Sequence, residues 1–224
     1  DENEDGFSST ASRFDPNVTF DSDGTAYAVY STAEGTTSSG LVVARSTDGG
    51  QSYTGTTVAT DPNDTTIHTA TVITRADPNG ADDVLVTWAL VIPDEDINAA
   101  LSTDGGATFT VFNGFVNDAN QRTFLPWAAV DENGDFHITW EVDLAGTNPE
   151  GRLFHDVLDG TTLVDGADNT VTDLELTDFA NADSKIPAQP NRGLFSVSSI
   201  DIDQSGGPFD GRIYVTYSDR VDVN

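Results

Sequence analysis

Apolar residues along this chain come in short bursts that alternate with polar ones and are closed off by Gly, Asp, Asn or Pro. The clearest are Ala26-Tyr27-Ala28-Val29-Tyr30, Val84-Leu85-Val86-Thr87-Trp88, Phe136-His137-Ile138-Thr139-Trp140 and Ile213-Tyr214-Val215-Thr216-Tyr217. A period of two places alternate side chains on opposite faces of a strand, and no stretch of twelve or more residues keeps the 3.6-residue apolar period of a helix. The pattern predicts an all-β protein.

Each burst follows an acidic turn: Asp21-Ser22-Asp23-Gly24, Asp77-Pro78-Asn79-Gly80, Asp131-Glu132-Asn133-Gly134, and the run from Asp203 to Gly211. The leading aspartates are 56, 54 and 72 residues apart. A second repeat runs alongside, Ser46-Thr47-Asp48-Gly49-Gly50-Gln51-Ser52-Tyr53 returning 56 residues later as Ser102-Thr103-Asp104-Gly105-Gly106-Ala107-Thr108-Phe109. A unit of about 55 residues suits four antiparallel strands with generous loops, the size of a propeller blade. In the first unit the strands are expected over Pro16–Phe20, Ala26–Tyr30, Gly40–Arg45 and Tyr53–Ala59. The blades are expected at about 14–62, 63–118, 119–168 and 195–224, the last incomplete, with residues 1–13 as an N-terminal arm. Residues 165–194, rich in Asp, Asn, Thr and Pro, read as a long loop or insertion. In the third unit Asp156-Val157-Leu158-Asp159-Gly160-Thr161 takes the place of the second repeat and keeps only its Asp-Gly pair.

The second repeat has the form Ser-x-Asp-x-Gly-x-x-aromatic. Its Asp can accept backbone N–H groups of its own turn, its Gly takes a positive φ, and its aromatic packs back beneath the turn. It resembles the Asp boxes of the sialidase-like (bacterial neuraminidase repeat) β-propellers. The resemblance implies four-stranded antiparallel blades, about four of them in this chain, within a larger propeller of the six-bladed type. It also implies that Ser46, Asp48, Gly50, Tyr53, Ser102, Asp104, Gly106 and Phe109 are structural, since the family's boxes lie on the outer rim, away from the central substrate face. Sialidase chemistry needs an arginine triad, a Tyr–Glu pair and an Asp acid. The family's early Arg-Ile-Pro motif is replaced here by a late Lys185-Ile186-Pro187, and lysine lacks the planar two-pronged donor. No catalytic residue is therefore assigned. Arg13, Arg122 and Arg192, each leading into a blade's first strand, are the candidates for a central ligand site, with Trp127 as a stacking surface for a sugar ring. Trp88 and Trp140 end equivalent strands and read as core.

Charge narrows the functions. With 38 acidic and 9 basic residues the chain carries a net charge of −29, which excludes a general nucleic-acid binder and disfavours anionic membranes; no 18-residue apolar run inserts into one either. Self-repulsion of this size favours screening or bound cations, calcium above all. The acidic turns supply oxygens at suitable spacing, and the candidate ligands are Asp21, Asp23, Asp77, Asn79, Asp131, Asn133, Asp135, Asp201 and Asp203. His68, His137 and His155 are too dispersed in sequence for a zinc motif. There is no cysteine, so no disulfide framework exists. A start at Asp1 reads as a processed or excised piece, and the open ends of its blade array call for further blades or copies of itself. The expected function is a non-catalytic extracellular or cell-surface module binding glycan or protein. The alternatives are a fragment or divergent member of a sialidase-like glycoside hydrolase and a structural subunit of a surface layer or filament.

Overall fold

The computed structural model describes residues 11–33, 39–61, 67–90, 96–112, 116–117, 122–144, 151–159, 162–163, 168–174 and 197–219. Among these there is no helix, and hence none long and apolar enough to cross a membrane.

Four antiparallel sheets follow one another along the chain. The first holds β1 (Ser12–Phe20), β2 (Ala26–Ala33), β3 (Ser39–Ser46) and β4 (Thr54–Asp61) in sequence order. The second holds β5 (Ile67–Arg75), β6 (Asp83–Leu90), β7 (Ile97–Ser102) and β8 (Thr110–Val111) in the same order. The third runs from β9 (Arg122–Val130) through β10 (Phe136–Asp143) to β11 (Gly151–Asp159). The outer side of β11 is shared by β12 (Thr162–Leu163) and β13 (Asn169–Leu174). A two-stranded ribbon, β14 (Ser199–Ile202) with β15 (Ile213–Thr216), completes the series.

Three expectations change. The first strand starts at Ser12, inside the expected arm. Residues 165–194 are not all loop, because Asn169–Leu174 pairs with β11 and takes the outer position of the third blade. Asp156 lies within β11 rather than in a turn; Gly160 and Thr161 fall outside the described residues.

The sheets stack face to face. Tyr27, Val29, Leu41 and Val43 of the first meet Val72, Val84, Val86 and Trp88 of the second. Leu85, Ala89, Ile97 and Leu101 leave the other side of the second sheet to meet Phe136, Ile138, Trp140, Val142 and Phe154 of the third. Strand β6 feeds both cores, which is why it reads as a nearly unbroken apolar run; Trp88 and Trp140 are buried as expected. The interface between the third sheet and the ribbon is smaller, formed by Ala129, Ile200 and Ile202 with Trp127 and Val215 packed against them.

The first strands of successive sheets are neighbours, β1 against β5, β5 against β9 and β9 against β14. Thr74 Oγ1 donates to Phe20 O at 2.8 Å, Val72 N to Asn17 Oδ1 at 3.3 Å, and Thr71 Oγ1 to Pro126 O at 2.7 Å. Sheets fanned about adjoining first strands are the blades of a β-propeller, which does not close within the described residues. Antiparallel order puts the β1–β2 and β3–β4 turns at one end of a blade, so the acidic turns and the Ser-x-Asp-x-Gly turns share that end. The N-terminal halves of the first strands point to the other.

Candidate functional site

The inner strands of the first three sheets are interrupted at the same place. The pairing of β1 with β2 skips Asp15 and Pro16, that of β5 with β6 skips Thr69 and Ala70, and that of β9 with β10 skips Leu125 and Pro126. Asp15 and Leu125 have φ of 52° and 53°, left-handed conformations that cost a non-glycine residue about 1–2 kcal/mol each. Both precede a proline, which disfavours the right-handed helical region for the residue before it. Counting back four residues from the last paired residue of β1, β9 and β14 (Phe20, Val130, Ile202) reaches Pro16, Pro126 and Ser198.

These equivalent positions enclose a pocket of about 180 Å³ at the axis. Asp15, Pro16 and Asn17 form one wall, Ala70 and Thr71 the next, Leu125, Pro126 and Trp127 the third, and Val197 and Ser198 the last. It is smaller than the ~300–1,000 Å³ of drug-sized pockets and suits a single ring. The Thr71 hydroxyl and the Asn17 carbonyl are committed to neighbouring backbone. Ser198 is 1% exposed, and its buried Oγ has no hydrogen-bond partner among the described residues, which leaves a polar group desolvated at the pocket wall. Trp127, half-buried against Ala129, Ile200 and Ile202, lines the same pocket.

A larger pocket, about 510 Å³, opens at the turn end between Arg75, Asp77, Asp83, Asp131, Glu132 and Gln204. Its basic group, Arg75, is already engaged. Arg75 pairs with Asp83, donates from Nη1 to Gly134 O at 2.7 Å and lies 4.7 Å above the Phe136 ring. The smaller pocket is therefore the stronger candidate.

Of the arginines expected at the centre, Arg13 is exposed and donates to Ala11 O at 3.1 Å. Arg122 opens β9, paired by backbone with Asp143, but its side chain, like all of Arg192, lies outside the described residues.

The candidate cation ligands spend oxygens on their own turns. Asp21 Oδ1 accepts from Asp23 N at 3.1 Å and Thr25 N at 2.7 Å; Asp131 Oδ1 accepts from Asn133 N at 2.9 Å and Asp135 N at 2.8 Å. Asp77 Oδ1 accepts from Asn79 N, Asp201 Oδ1 from Ile202 N and Asp203 Oδ1 from Ser205 N. Burial pushes the Asp131 carboxyl up, and the bonds from Asp135 and Asn133 with the nearby His137 outweigh it and hold it below its ordinary range. Among the described residues no three His, Asp or Glu side chains are grouped to hold a metal.

The two Ser-x-Asp-x-Gly turns are nearly superposable in their bonding. Ser46 Oγ donates to Asp48 Oδ1 at 2.8 Å and accepts from Gly50 N at 2.9 Å; Ser102 Oγ makes the same bonds at 2.7 and 2.8 Å. Oδ2 of each Asp accepts a hydroxyl at 2.6 Å, from Ser52 or Thr108. The hydroxyl of Thr108 is the main reason that the Asp104 carboxyl falls to about 2, and Ser52 lowers Asp48 in the same way. The second turn is also gripped by the first sheet. Gly105 O accepts from Arg45 Nη1 at 2.9 Å and from Tyr27 Oη at 3.2 Å, and Gly106 O accepts from Thr56 Oγ1 at 3.2 Å.

Two contacts escaped sequence reading. The single proton of the Tyr27 hydroxyl is shared between Gly105 O and Asp21 Oδ2, the latter at 3.0 Å, and burial followed by that carboxylate pushes the phenol up to about 12. His137 and His155, eighteen residues apart, meet with Nδ1 and Nε2 3.0 Å apart. The only written signal for the bulges is the repeat of Phe-x-Pro at Phe14-Asp15-Pro16 and Phe124-Leu125-Pro126.

No protein-family model matches this chain, and no curated protein matches it either. Among solved structures it is similar to the Hadza microbial sialidase (TM-score 0.57, 15% identity, 96% of this chain and 45% of that one). A protein of unknown function from Dyadobacter fermentans aligns with TM-score 0.56 at 17% identity over 92% of this chain and 49% of that one. The GH93 α-L-arabinofuranosidase of Fusarium graminearum aligns with TM-score 0.54 at 13% identity over 91% of this chain and 74% of that one. The chain thus spans about half the length of the first two, and the likeness is one of fold, a sialidase-like propeller.

Proposed function

We propose that this chain is part of an extracellular Asp-box propeller that binds a glycan in the axial pocket without cleaving it. The observation that carries the reading is the pocket itself, where four inner strands bring equivalent residues together, two of them in strained left-handed conformations, around an unpartnered Ser198 hydroxyl. Trp127 lines the same pocket and brings an aromatic side chain of the kind on which sugar rings stack. The glycoside hydrolases among the structural neighbours support a glycan ligand, and Lys185-Ile186-Pro187 in place of an arginine motif supports a binding role. Calorimetric titration with neutral and sialylated oligosaccharides, on the chain and on Trp127→Ala and Ser198→Val, tests it. Saturable binding lost in both variants is expected; binding unchanged in both overturns it.

Asp15, a carboxylate on the pocket wall, favours a second reading, a piece of a glycoside hydrolase. Turnover of fluorogenic glycosides that disappears in Asp15→Asn would select that reading. Cations, calcium foremost, stabilise the acidic surface in either case. A midpoint of unfolding raised by millimolar calcium and lowered by chelator is the expected result; recovery by molar sodium chloride alone would assign the effect to screening.

A further inference from the structure

The β10–β11 register pairs His137 with Val157 and Thr139 with His155, so the two histidines occupy one face of the third sheet as diagonal neighbours. Their rings are stacked, 5.2 Å between centroids and 22° between planes. The 3.0 Å between His137 Nδ1 and His155 Nε2 is a hydrogen-bond distance with one shared proton. It is also close to the ~3.3 Å that separates two nitrogens on one tetrahedral zinc with Zn–N of about 2.0–2.1 Å. Opening by a few tenths of an ångström, with each ring tilted by about 35° so that both lone pairs converge on one ion, converts one arrangement into the other.

The far side of the His137 ring supplies an independent observation. His137 is 8% exposed, its Nε2 has no hydrogen-bond partner among the described residues, and the Asp131 carboxylate lies 3.6 Å from it, within ion-pair reach and just beyond hydrogen-bond distance. A metal-binding imidazole commonly directs its other N–H at a carboxylate, which fixes the tautomer and leaves the opposite nitrogen free to ligate. Across the strand from His155, Thr139 adds a buried hydroxyl without a partner among the described residues. His155 is half-buried, giving the pair a route to solvent, and the net charge of −29 raises the local concentration of cations.

We propose that His137 Nδ1 and His155 Nε2 form a two-imidazole site for a borderline transition-metal ion, Zn²⁺, Ni²⁺ or Cu²⁺, with Asp131 orienting His137 from outside the coordination shell. Water completes the coordination. The site is separate from the axial pocket and does not depend on the glycan reading. Its nitrogen donors distinguish it from the acidic turns, whose oxygens suit hard cations.

The test is titration of the intact chain near neutral pH with ZnCl₂ and separately with CaCl₂, together with electron paramagnetic resonance of the Cu²⁺ form. One zinc per chain is expected, bound at least tenfold more weakly by His155→Gln and by His137→Gln, with two imidazole nitrogens in the copper spectrum. Asp131→Asn keeps the oxygen that caps its own turn, and it should weaken zinc by about 10–100-fold while both nitrogens persist. His155→Gln, at the more exposed position, keeps the test decisive where His137→Gln disturbs the core; circular dichroism checks both. Zinc affinity unchanged in a folded His155→Gln, or a copper spectrum lacking the second nitrogen, overturns the site.

Discussion

The turns Ser46–Tyr53 and Ser102–Phe109 carry the same motif and close with the same hydrogen bonds, but they live in different surroundings. The first stands clear: a Cβ on Gly49 would meet nothing, and Tyr53 is 39% exposed. The second is wedged against the preceding sheet, where Tyr27, Arg45 and Thr56 all bond its backbone carbonyls and Phe109 packs on the core. The motif is thus complete within itself, and what it does for the fold depends on its neighbour. In the second copy a local turn has become a clamp between blades.

The largest effect that separates the copies is expected at their second glycines. A Cβ on Gly106 would lie 2.9 Å from Cε1 of the buried Tyr27, whereas on Gly50 it would meet only the movable Tyr53 hydroxyl at 3.2 Å. Both have positive φ, 79° and 85°. Gly50→Ala should cost about 1–2 kcal/mol of conformational strain, and Gly106→Ala about 3 kcal/mol or more by denaturant unfolding. Equal losses would break the comparison. Tyr27→Phe, which removes the hydroxyl between Asp21 and Gly105, should cost about 1 kcal/mol, with Arg45 still serving Gly105 O.

Acid unfolding tests what the two copies share. A folded carboxyl pKa below its ordinary 3.8 contributes stability that is complete above about pH 4 and is lost as pH falls toward about 2 for Asp104. Asp104→Asn should flatten that part of the curve measured by circular dichroism, and Asp48→Asn should flatten it as well, since the same hydroxyl and amide bonds hold its carboxyl down. The smallest change is expected for Tyr53→Ala, within about 0.5 kcal/mol of the parent.

Much of the fold was legible because alternation and turn chemistry are local. The four second strands, the repeated Asp turns and the buried Trp88 and Trp140 could all be read from residue order. The strand Asn169–Leu174 was hidden because Asn-Thr-Val-Thr-Asp-Leu has loop composition, and only pairing with β11 makes it a strand. The axial pocket was hidden for a related reason. Its walls come from residues 55 to 72 apart that meet only after register fixes the strands, and neither Asp15 nor Leu125 announces a positive φ. Ser198 carries no sequence signal at all. The His137–His155 contact likewise depends on a hairpin offset of two residues that spacing alone does not give.

Sheets built from consecutive strands also bear on the order in which the molecule assembles. Within the first two blades every ladder joins neighbours in the chain, so each blade closes only short loops and can form as its own residues leave the ribosome. The bonds from Tyr27, Arg45 and Thr56 to the second turn then cannot help the first blade to fold; they wait for Gly105 and Gly106 to arrive. Removing them should speed unfolding and leave the rate of folding nearly unchanged, the kinetic mark of contacts made after the rate-limiting step.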